Sequence, residues 1–541
     1  MQRASTLLLG SLLFGLIVLL GGAMLLKGGL YIGKHEGDTL QLADMVLRMT
    51  EAGQWPHLDF STPIGILALA PIAFFVWLGA GLGHAVIWAE VAVALVLLPA
   101  LARAAASRFE ATGALLYGVY VVVLCLALVH GESETTVSLS MHYNRWAWAV
   151  VYIIVPLATM PPSGEPRPWL DGALIGLGMA ALALIKITYF VGLAPAILLA
   201  FLVRGEGRAF LAAMVAGLAV AGLMTGIAGP GYWGDYLFDL LSVSQSSIRA
   251  TPGESLLGVV ALPAYIGATL TLLATVILLR QSDKFTEGLL LLALAPGFFI
   301  ITWQNSGNDP QWLVLLAAFA LQFRPDPYRH NSMGIPLKAG LTTAAIAALA
   351  FATPSALNLA FSPFRQAFAS AEGMMPMLSR WPEHSDLLVR EARFYRVDSI
   401  VALDGEGAPY ASYRELAQRD APAVLNGETL PDCELSLGYS AWFETAAADL
   451  AASGYADKRI LVADLFSALW LYGPFPPLRG GAPWLYGGAP GISVSEFVLV
   501  PLCPTNLESR AGMLKVLNDS GWTLTEVRRN ATYVLLRPSK P

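Results

Sequence analysis

Residues 31–65 read Y-I-G-K-H-E-G-D-T-L-Q-L-A-D-M-V-L-R-M-T-E-A-G-Q-W-P-H-L-D-F-S-T-P-I-G. Gly37 permits a tight turn just before Asp38. From Thr39 to Ala52 apolar residues recur at helical spacing, at Leu40, Leu42, Ala43, Val46 and Leu47. This pattern predicts a short amphipathic helix lying on a membrane surface. The stretch ends in Pro63-Ile64-Gly65, and a proline suits the first turn of a following helix. On both sides the chain is strongly apolar, roughly 5–26 before and 63–79 after. Residues 28–62 therefore read as a polar loop between two membrane helices. Its acids are Glu36, Asp38, Asp44, Glu51 and Asp59.

The whole composition agrees. Of 541 residues, 56% are hydrophobic and 13% charged, about half the charge of a soluble globular protein. Mean hydropathy is +0.59. With 33 basic and 39 acidic residues, the net charge of -6 leaves no basic excess for phosphate neutralisation, so nucleic acid is excluded as a partner. Three cysteines are too few for a disulfide scaffold or a thiolate metal cluster. The first 360 residues hold 36 charges, and the remaining 181 also hold 36. Charge density doubles near residue 360. The expected fold is a polytopic α-helical membrane domain, 1–355, followed by a soluble extracytoplasmic α/β domain, 361–541.

About eleven to thirteen spans are expected, near 5–26, 63–79, 84–101, 111–129, 145–160, 170–185, 189–203, 209–228, 255–279, 286–303, 311–323 and 339–353. The first lies between Arg3 and Lys27, is long for a signal peptide and lacks an A-x-A site, so it reads as a retained helix. Three basic turns set the orientation: Arg204 with Arg208, Arg280 with Lys284, and Arg324, Arg329 and Lys338. All three should be cytoplasmic, which puts 28–62, 229–254, 304–310 and everything after about 355 outside. Arg103 and Arg108 conflict with this if 63–79 and 84–101 both cross in full.

A second stretch, 171–204, is a glycine-rich apolar run ending at Lys186, then a returning run through Tyr189 to Arg204. Together the two stretches resemble the GT-C glycosyltransferases, such as protein O-mannosyltransferases and aminoarabinose transferases. That family carries an acid soon after its first span, a surface helix, a Pro-rich approach to the second span, and a lysine closing a glycine-rich span. Asp38 and Pro63-Ile64-Gly65 match; the family's Asp-Glu pair and His-Pro-Pro-Leu-Gly do not, since this chain has Asp38-Thr39 and Phe60-Ser61-Thr62-Pro63-Ile64-Gly65. The resemblance covers roughly the first 210 residues.

It implies transfer of a sugar, with inversion, from a polyprenyl-phosphate donor to a glycan, lipid or protein acceptor outside the membrane. It also implies a multi-pass protein of a bacterial inner membrane with a periplasmic domain. An aliphatic hydroxyl is a poor nucleophile, so a carboxylate must take its proton; Asp38 is the candidate, with a helix N-cap as its structural alternative. The leaving phosphate needs cations, and Lys186, Arg145 and Arg249 are the candidates. An interfacial lysine also snorkels for purely structural reasons. A divalent metal is the alternative to these cations, with His57, Asp59, Glu132, Glu134 and His142 as conceivable ligands at no diagnostic spacing. Tyr189, His57 and Asp59 are further substrate-binding candidates. Asn305, Asn308 and Asp309, in the turn Q-N-S-G-N-D-P, suit sugar hydroxyls, although such residues also make ordinary turns.

In the soluble part, Val401–Asp404, Ile460–Asp464, 497–501 and 533–536 read as buried strands, 507–520 as a helix, and 523–527 with 532–536 as an antiparallel pair. Trp484 and Tyr486, in a Pro- and Gly-rich loop, are aromatic enough to stack on a sugar. Cys433 and Cys503 are free to pair outside the membrane; Cys125 falls inside a span. A transporter or flippase of lipid-linked sugars and a non-catalytic membrane scaffold are the competing readings, and no internal repeat favours the first.

Overall fold

The computed structural model of the chain describes residues 5–131, 134–246, 248, 255–305, 309–416 and 422–540. It opens with α1 (Thr6–Leu25), β1 (Leu30–Ile32), α2 (Glu36–Glu51), α3 (Ala70–Trp77), α4 (Leu82–Arg108), α5 (Ala111–Leu126) and α6 (His142–Thr159). Then come α7 (Pro168–Ile185), α8 (Ile187–Arg204), α9 (Gly207–Ala228), α10 (Gly231–Ser244) and α11 (Leu256–Ala261). The helical part closes with α12 (Pro263–Gln281), α13 (Phe285–Gln304), α14 (Leu313–Gln322) and α15 (Leu337–Ala367).

Among the described residues eight helices are long and apolar enough to cross a membrane: α1, α4, α7, α8, α9, α12, α13 and α15. α5 and α14 are apolar but have 16 and 10 residues. Of the twelve runs expected from the sequence, 63–79, 111–129, 145–160 and 311–323 give α3, α5, α6 and α14, which are not among these eight. The run 63–79 yields only a 3-10 turn and the eight-residue α3. Eight residues rise about 12 Å against an apolar core of about 30 Å. α3 is too short to cross, which removes the conflict over Arg103 and Arg108. The run 255–279 breaks at Leu262, between α11 and α12.

The basic turns gather at one end of the bundle. Asp171 accepts hydrogen bonds from Arg103 (3.0 and 3.2 Å) and Arg108 (2.8 Å). Arg204 donates to the Thr159 carbonyl, and Arg329 pairs with Asp283. The Glu110 N–H donates to Gln322, joining the α4–α5 turn to the end of α14. At the opposite end α4 starts against Asp386, whose carboxylate accepts the Gly83 and His84 N–H groups at 3.1 and 2.7 Å. Helices α7 and α9 pack backbone to backbone: a side chain on Gly172 or Gly176 would collide with the Ala209 or Ala213 carbonyl.

α15 runs unbroken through 355 and 361 to Ala367. After it come β2 (Met374–Pro376), β3 (Leu387–Arg390), α16 (Glu391–Phe394), β4 (Asp398–Val401), β5 (Val424–Leu425), β6 (Glu428–Thr429) and β7 (Cys433–Leu437). The chain ends with α17 (Tyr439–Leu450), β8 (Ile460–Val462), α18 (Leu469–Tyr472), β9 (Phe497–Pro501), α19 (Leu507–Asp519), β10 (Thr523–Arg529) and β11 (Tyr533–Ser539). The main sheet has the order β10-β11-β9-β8, with β8 parallel to β9 and the other pairs antiparallel. Its strands and α19 fall where apolar runs and turn residues predict them. The buried strand expected at Val401–Asp404 is not there: β4 ends at Val401 and 403–404 form a turn, among the described residues β4 pairs with β7 alone, and Ile400, Val401 and Leu403 are 64%, 59% and 63% exposed. A short apolar run fixes neither the bounds of a strand nor whether anything covers it.

β1, from the first loop, pairs parallel with β3 and so joins the two parts of the chain. α2 has the predicted helical period, but Glu36 and every residue from Thr39 to Arg48 are buried. It is enclosed by the soluble part rather than resting open on a membrane surface. Arg48 donates to Asp44 (2.6 Å) and to the Leu478 carbonyl (3.0 Å), and Trp470 Nε1 donates to Asp44 (2.7 Å). Burial pushes the Asp44 carboxyl above its usual range, against the opposing pull of Arg48.

Cys433 and Cys503 form a disulfide with Cα atoms 5.0 Å apart, bridging 70 positions, while Cys125 is a buried thiol. Replacing both bridged cysteines with serine is expected to cost about 2–4 kcal/mol. The check is a thermal melt of the detergent-solubilised protein, and an unchanged midpoint would show that the bridge adds nothing.

Candidate functional site

The chain breaks between α7 and α8 at one residue, Lys186, whose backbone is extended (φ -157°, ψ 110°). Two contacts hold the break. The Gly65 N–H donates to the Ile185 carbonyl at 3.1 Å, and the Tyr236 hydroxyl donates to the Ala183 carbonyl at 2.7 Å. The Pro63-Ile64-Gly65 segment therefore docks directly beside Lys186. Half-buried Lys186 donates to the Asn305 side-chain oxygen, and its ammonium lies 5.3 Å from the centre of the Tyr143 ring. Asn305 is fixed by its own amide, which donates to the Ile301 carbonyl at 2.6 Å.

These groups share a cavity of about 680 Å³, whose walls include Pro63, Tyr143, Lys186, Gln304 and, from the soluble part, Tyr486. An almost wholly apolar groove of about 770 Å³ lies between α7, α8 and α9. Val191 and Pro195 of α8 line both spaces.

Asp38 is the third residue of α2, half-buried, and His35 rather than Asp38 occupies the N-cap position. A carboxylate in the first turn of a helix sits favourably at the positive end of the dipole. Asp38 does not line the cavity. The two are linked through the soluble part. Gly37 lets Phe466 approach so closely that a Cβ there would lie 2.7 Å from its ring. Phe466 pairs with Trp484, two residues before Tyr486 on the cavity wall.

The other predicted residues are tied elsewhere. His57 Nδ1 lies 2.8 Å from Asp239, which also accepts the Ser61 hydroxyl and the Thr62 N–H (3.0 Å). With the Tyr236 ring tilted against it at 4.3 Å, buried His57 anchors the approach to Pro63 instead of facing the cavity. Asp59 accepts the Trp55 N–H at 2.8 Å and pairs with Arg479 at 3.0 Å. Arg145 is buried, and its Nη1 donates to the carbonyls of Val129 (2.6 Å) and Ser140 (3.3 Å). Tyr189 is buried and donates to the Asn144 carbonyl at 3.2 Å. Asp309 follows the turn, its carbonyl accepting the Gln311 N–H at 2.7 Å. Arg249, Asn308 and Glu132 lie outside the described residues.

Of the conceivable metal ligands, His142 is buried with Nε2 3.0 Å from the Ala68 carbonyl. Glu134 pairs with Lys34 at 2.6 Å, and hydrogen bonds from Lys34 and Thr136 hold its carboxyl down at about 2. Among the described residues no three His, Cys, Asp or Glu side chains cluster so as to hold a metal ion.

Sequence reading missed His35. Its ring lies 4.6 Å from that of His130, and the two Nδ1 atoms sit 2.9 Å from the hydroxyls of Ser138 and Ser140. Burial lowers both imidazoles, His130 to about 4. Asp239 was also missed as the partner of His57. Nothing in the sequence pairs residues 182 positions apart.

No family model matches the chain, and no curated protein matches it. Among solved structures it is similar to ArnT from Cupriavidus metallidurans bound to undecaprenyl phosphate. That similarity covers 97% of each chain, at 12% sequence identity and a TM-score of 0.40.

Proposed function

We propose that the chain is an integral-membrane glycosyltransferase of the GT-C type. It moves a sugar from a polyprenyl-phosphate donor to an acceptor outside the membrane, inverting the anomeric centre. The observation that carries this reading is the cation at the helix break. Lys186 stands at the wall of a cavity that shares Val191 and Pro195 of α8 with an apolar groove between helices apolar enough to cross a membrane. A ligand with one anionic head and a long hydrocarbon tail matches that combination. An ionisable side chain so placed is costly unless it serves a ligand or pathway.

In this reading the donor phosphate meets Lys186, which Asn305 and the Tyr143 ring keep oriented. The sugar lies toward Gln304 and Tyr486. The bond between the anomeric carbon and the phosphate oxygen breaks, and its electron pair leaves with the phosphate. The acceptor oxygen forms the new bond on the opposite face, and its proton passes to Asp38. Lys186 stabilises the charge that grows on the leaving phosphate. No step is routed through a metal. Binding of a radiolabelled polyprenyl phosphate to the purified chain tests the reading. Saturable binding that competes with unlabelled lipid is expected, and its absence would remove the donor.

The same reading makes the basic end cytoplasmic and the soluble part extracytoplasmic, where the Cys433–Cys503 bridge is chemically at home. Cys125, the remaining cysteine, is buried, so single introduced cysteines can be read cleanly. In intact cells a membrane-impermeant maleimide is expected to label Ser412→Cys and to spare Ser332→Cys until the membrane is opened. The reverse pattern would invert the topology.

A further inference from the structure

Residues 477–491 of the soluble part read P-L-R-G-G-A-P-W-L-Y-G-G-A-P-G and bring Tyr486 to the wall of the cavity. The first five of them grip the first loop. Gln54 donates to the Pro477 carbonyl and Arg48 to the Leu478 carbonyl, both at 3.0 Å. Arg479 pairs with Asp59 at 3.0 Å, and the Gly480 N–H donates to the Asp59 carbonyl at 2.6 Å. The Ser61 N–H donates to the Gly481 carbonyl at 2.9 Å. The loop held in this way leads into Pro63-Ile64-Gly65, which docks at the Ile185 carbonyl beside Lys186.

The next residues are fixed just beyond β8. The Ser467 hydroxyl donates to the Ala482 carbonyl at 2.8 Å, and the Leu485 N–H donates to the Leu465 carbonyl at 2.8 Å. Between them the Trp484 ring meets Phe466 edge to face, with centres 5.1 Å apart. Trp484 is thus taken up by packing within the soluble part, while half-buried Tyr486 lines the cavity. Exposed Gly487 and Gly488 follow at φ 144° and 70°, backbone that a side chain rarely adopts. The stretch that leads to Tyr486 is therefore anchored to the first loop and to the end of β8, which sets the place of its ring on the wall that Lys186 shares.

Among the described residues of that wall Lys186 carries the charge, and Thr188, Ser244 and Gln304 are neutral hydrogen-bonding groups. The Thr188 hydroxyl donates to the Gln304 side-chain oxygen at 2.7 Å, which leaves the Gln304 amide nitrogen to donate. A pyranose has an apolar face of C–H bonds and a rim of hydroxyls. A flat aromatic ring suits the first, and a few placed polar groups suit the second.

We infer that Tyr486 is a specificity-determining residue for the donor: its ring stacks on the C–H face of an uncharged pyranose whose hydroxyls meet Gln304 and Thr188, while Lys186 holds the phosphate. The inference rests on the donor proposed above and adds the class of its sugar and the residue that recognises it.

The experiment titrates the full chain in nanodiscs with short-chain polyprenyl phosphate and with its glucosyl, mannosyl, galactosyl and arabinopyranosyl phosphodiesters. In the wild type at least one glycosylated lipid is expected to bind about three- to tenfold tighter than the bare lipid, the range of one aromatic contact. Tyr486→Leu keeps an apolar side chain but no flat face. It should lose that gain, with affinity for the bare lipid held within about twofold. Tyr486→Phe should keep the gain, because stacking needs the ring and not the hydroxyl. Should Tyr486→Leu fail to fold, amide exchange of 484–488 in the wild type decides. The tightest glycosylated lipid is expected to slow it about threefold or more beyond the bare lipid, and equal exchange would overturn the inference. A gain that persists in folded Tyr486→Leu, or no gain for any of the four sugars in the wild type, would overturn it while leaving the lipid-phosphate donor in place. Failure of the wild type to bind the bare lipid saturably would instead remove the donor, and this inference with it.

Discussion

Asp38→Asn is expected to lower the rate of sugar transfer by about 100- to 10,000-fold, the usual contribution of a positioned general base. Asparagine keeps the size of the side chain and its place in the first turn of α2, but it cannot accept the acceptor's proton. The helix itself should survive. Its N-cap is His35, and α2 is anchored by the Asp44–Arg48–Trp470 contacts one to three turns further on. The loss should therefore appear in turnover, with expression and thermal midpoint close to wild type. Measuring transfer in membranes that contain the native donor decides the matter. Wild-type turnover in Asp38→Asn would show that this carboxylate takes no proton.

Lys186→Met is the second large effect, expected to weaken binding of the polyprenyl phosphate about 10- to 150-fold. A charge-assisted hydrogen bond contributes about 1.5–3 kcal/mol, and each 1.4 kcal/mol is a factor of ten. Methionine keeps an unbranched apolar stem, so the break between α7 and α8 should persist; the contacts holding it are made by Gly65 and Tyr236, not by the ammonium. Lys186→Arg should recover part of the affinity, because a guanidinium also binds phosphate. A titration with short-chain polyprenyl phosphate reads this directly. Equal affinity in wild type and Lys186→Met would mean that the phosphate sits elsewhere.

Asp38 and Lys186 stand out in the sequence as candidates for simple reasons, and their roles are the proposal that these two variants test. A lysine that ends an apolar run has an energetic cost that calls for a partner. An acid just past a first span, followed by a helical period, marks a loop rather than a core. Pro63 and Asn305 were legible as punctuation, and the structure brings Pro63, Lys186 and Asn305 to one place. Direction was not legible. Arg145 reads as a cation available to a ligand, yet its donors turn inward to the Val129 and Ser140 carbonyls. His57 reads as a metal ligand or a substrate-binding residue, yet it answers to Asp239 on α10. Likewise, periodicity reports the face of α2 toward the bundle but not the soluble part that covers its other face. β1 has three residues at the margin of a span, too few to show any alternation, so its pairing with β3 could not be foreseen.

The central claim is that this chain consumes a lipid-linked sugar at an outer membrane surface. The most direct test is to delete the gene, restore it as wild type or as Asp38→Asn at matched membrane levels, and profile surface glycans and polyprenyl-linked sugars by mass spectrometry. The account predicts that one glycan vanishes in the deletion while its lipid-linked donor accumulates. Wild type should reverse both changes and Asp38→Asn neither. Unchanged glycan and donor profiles in the deletion would contradict it.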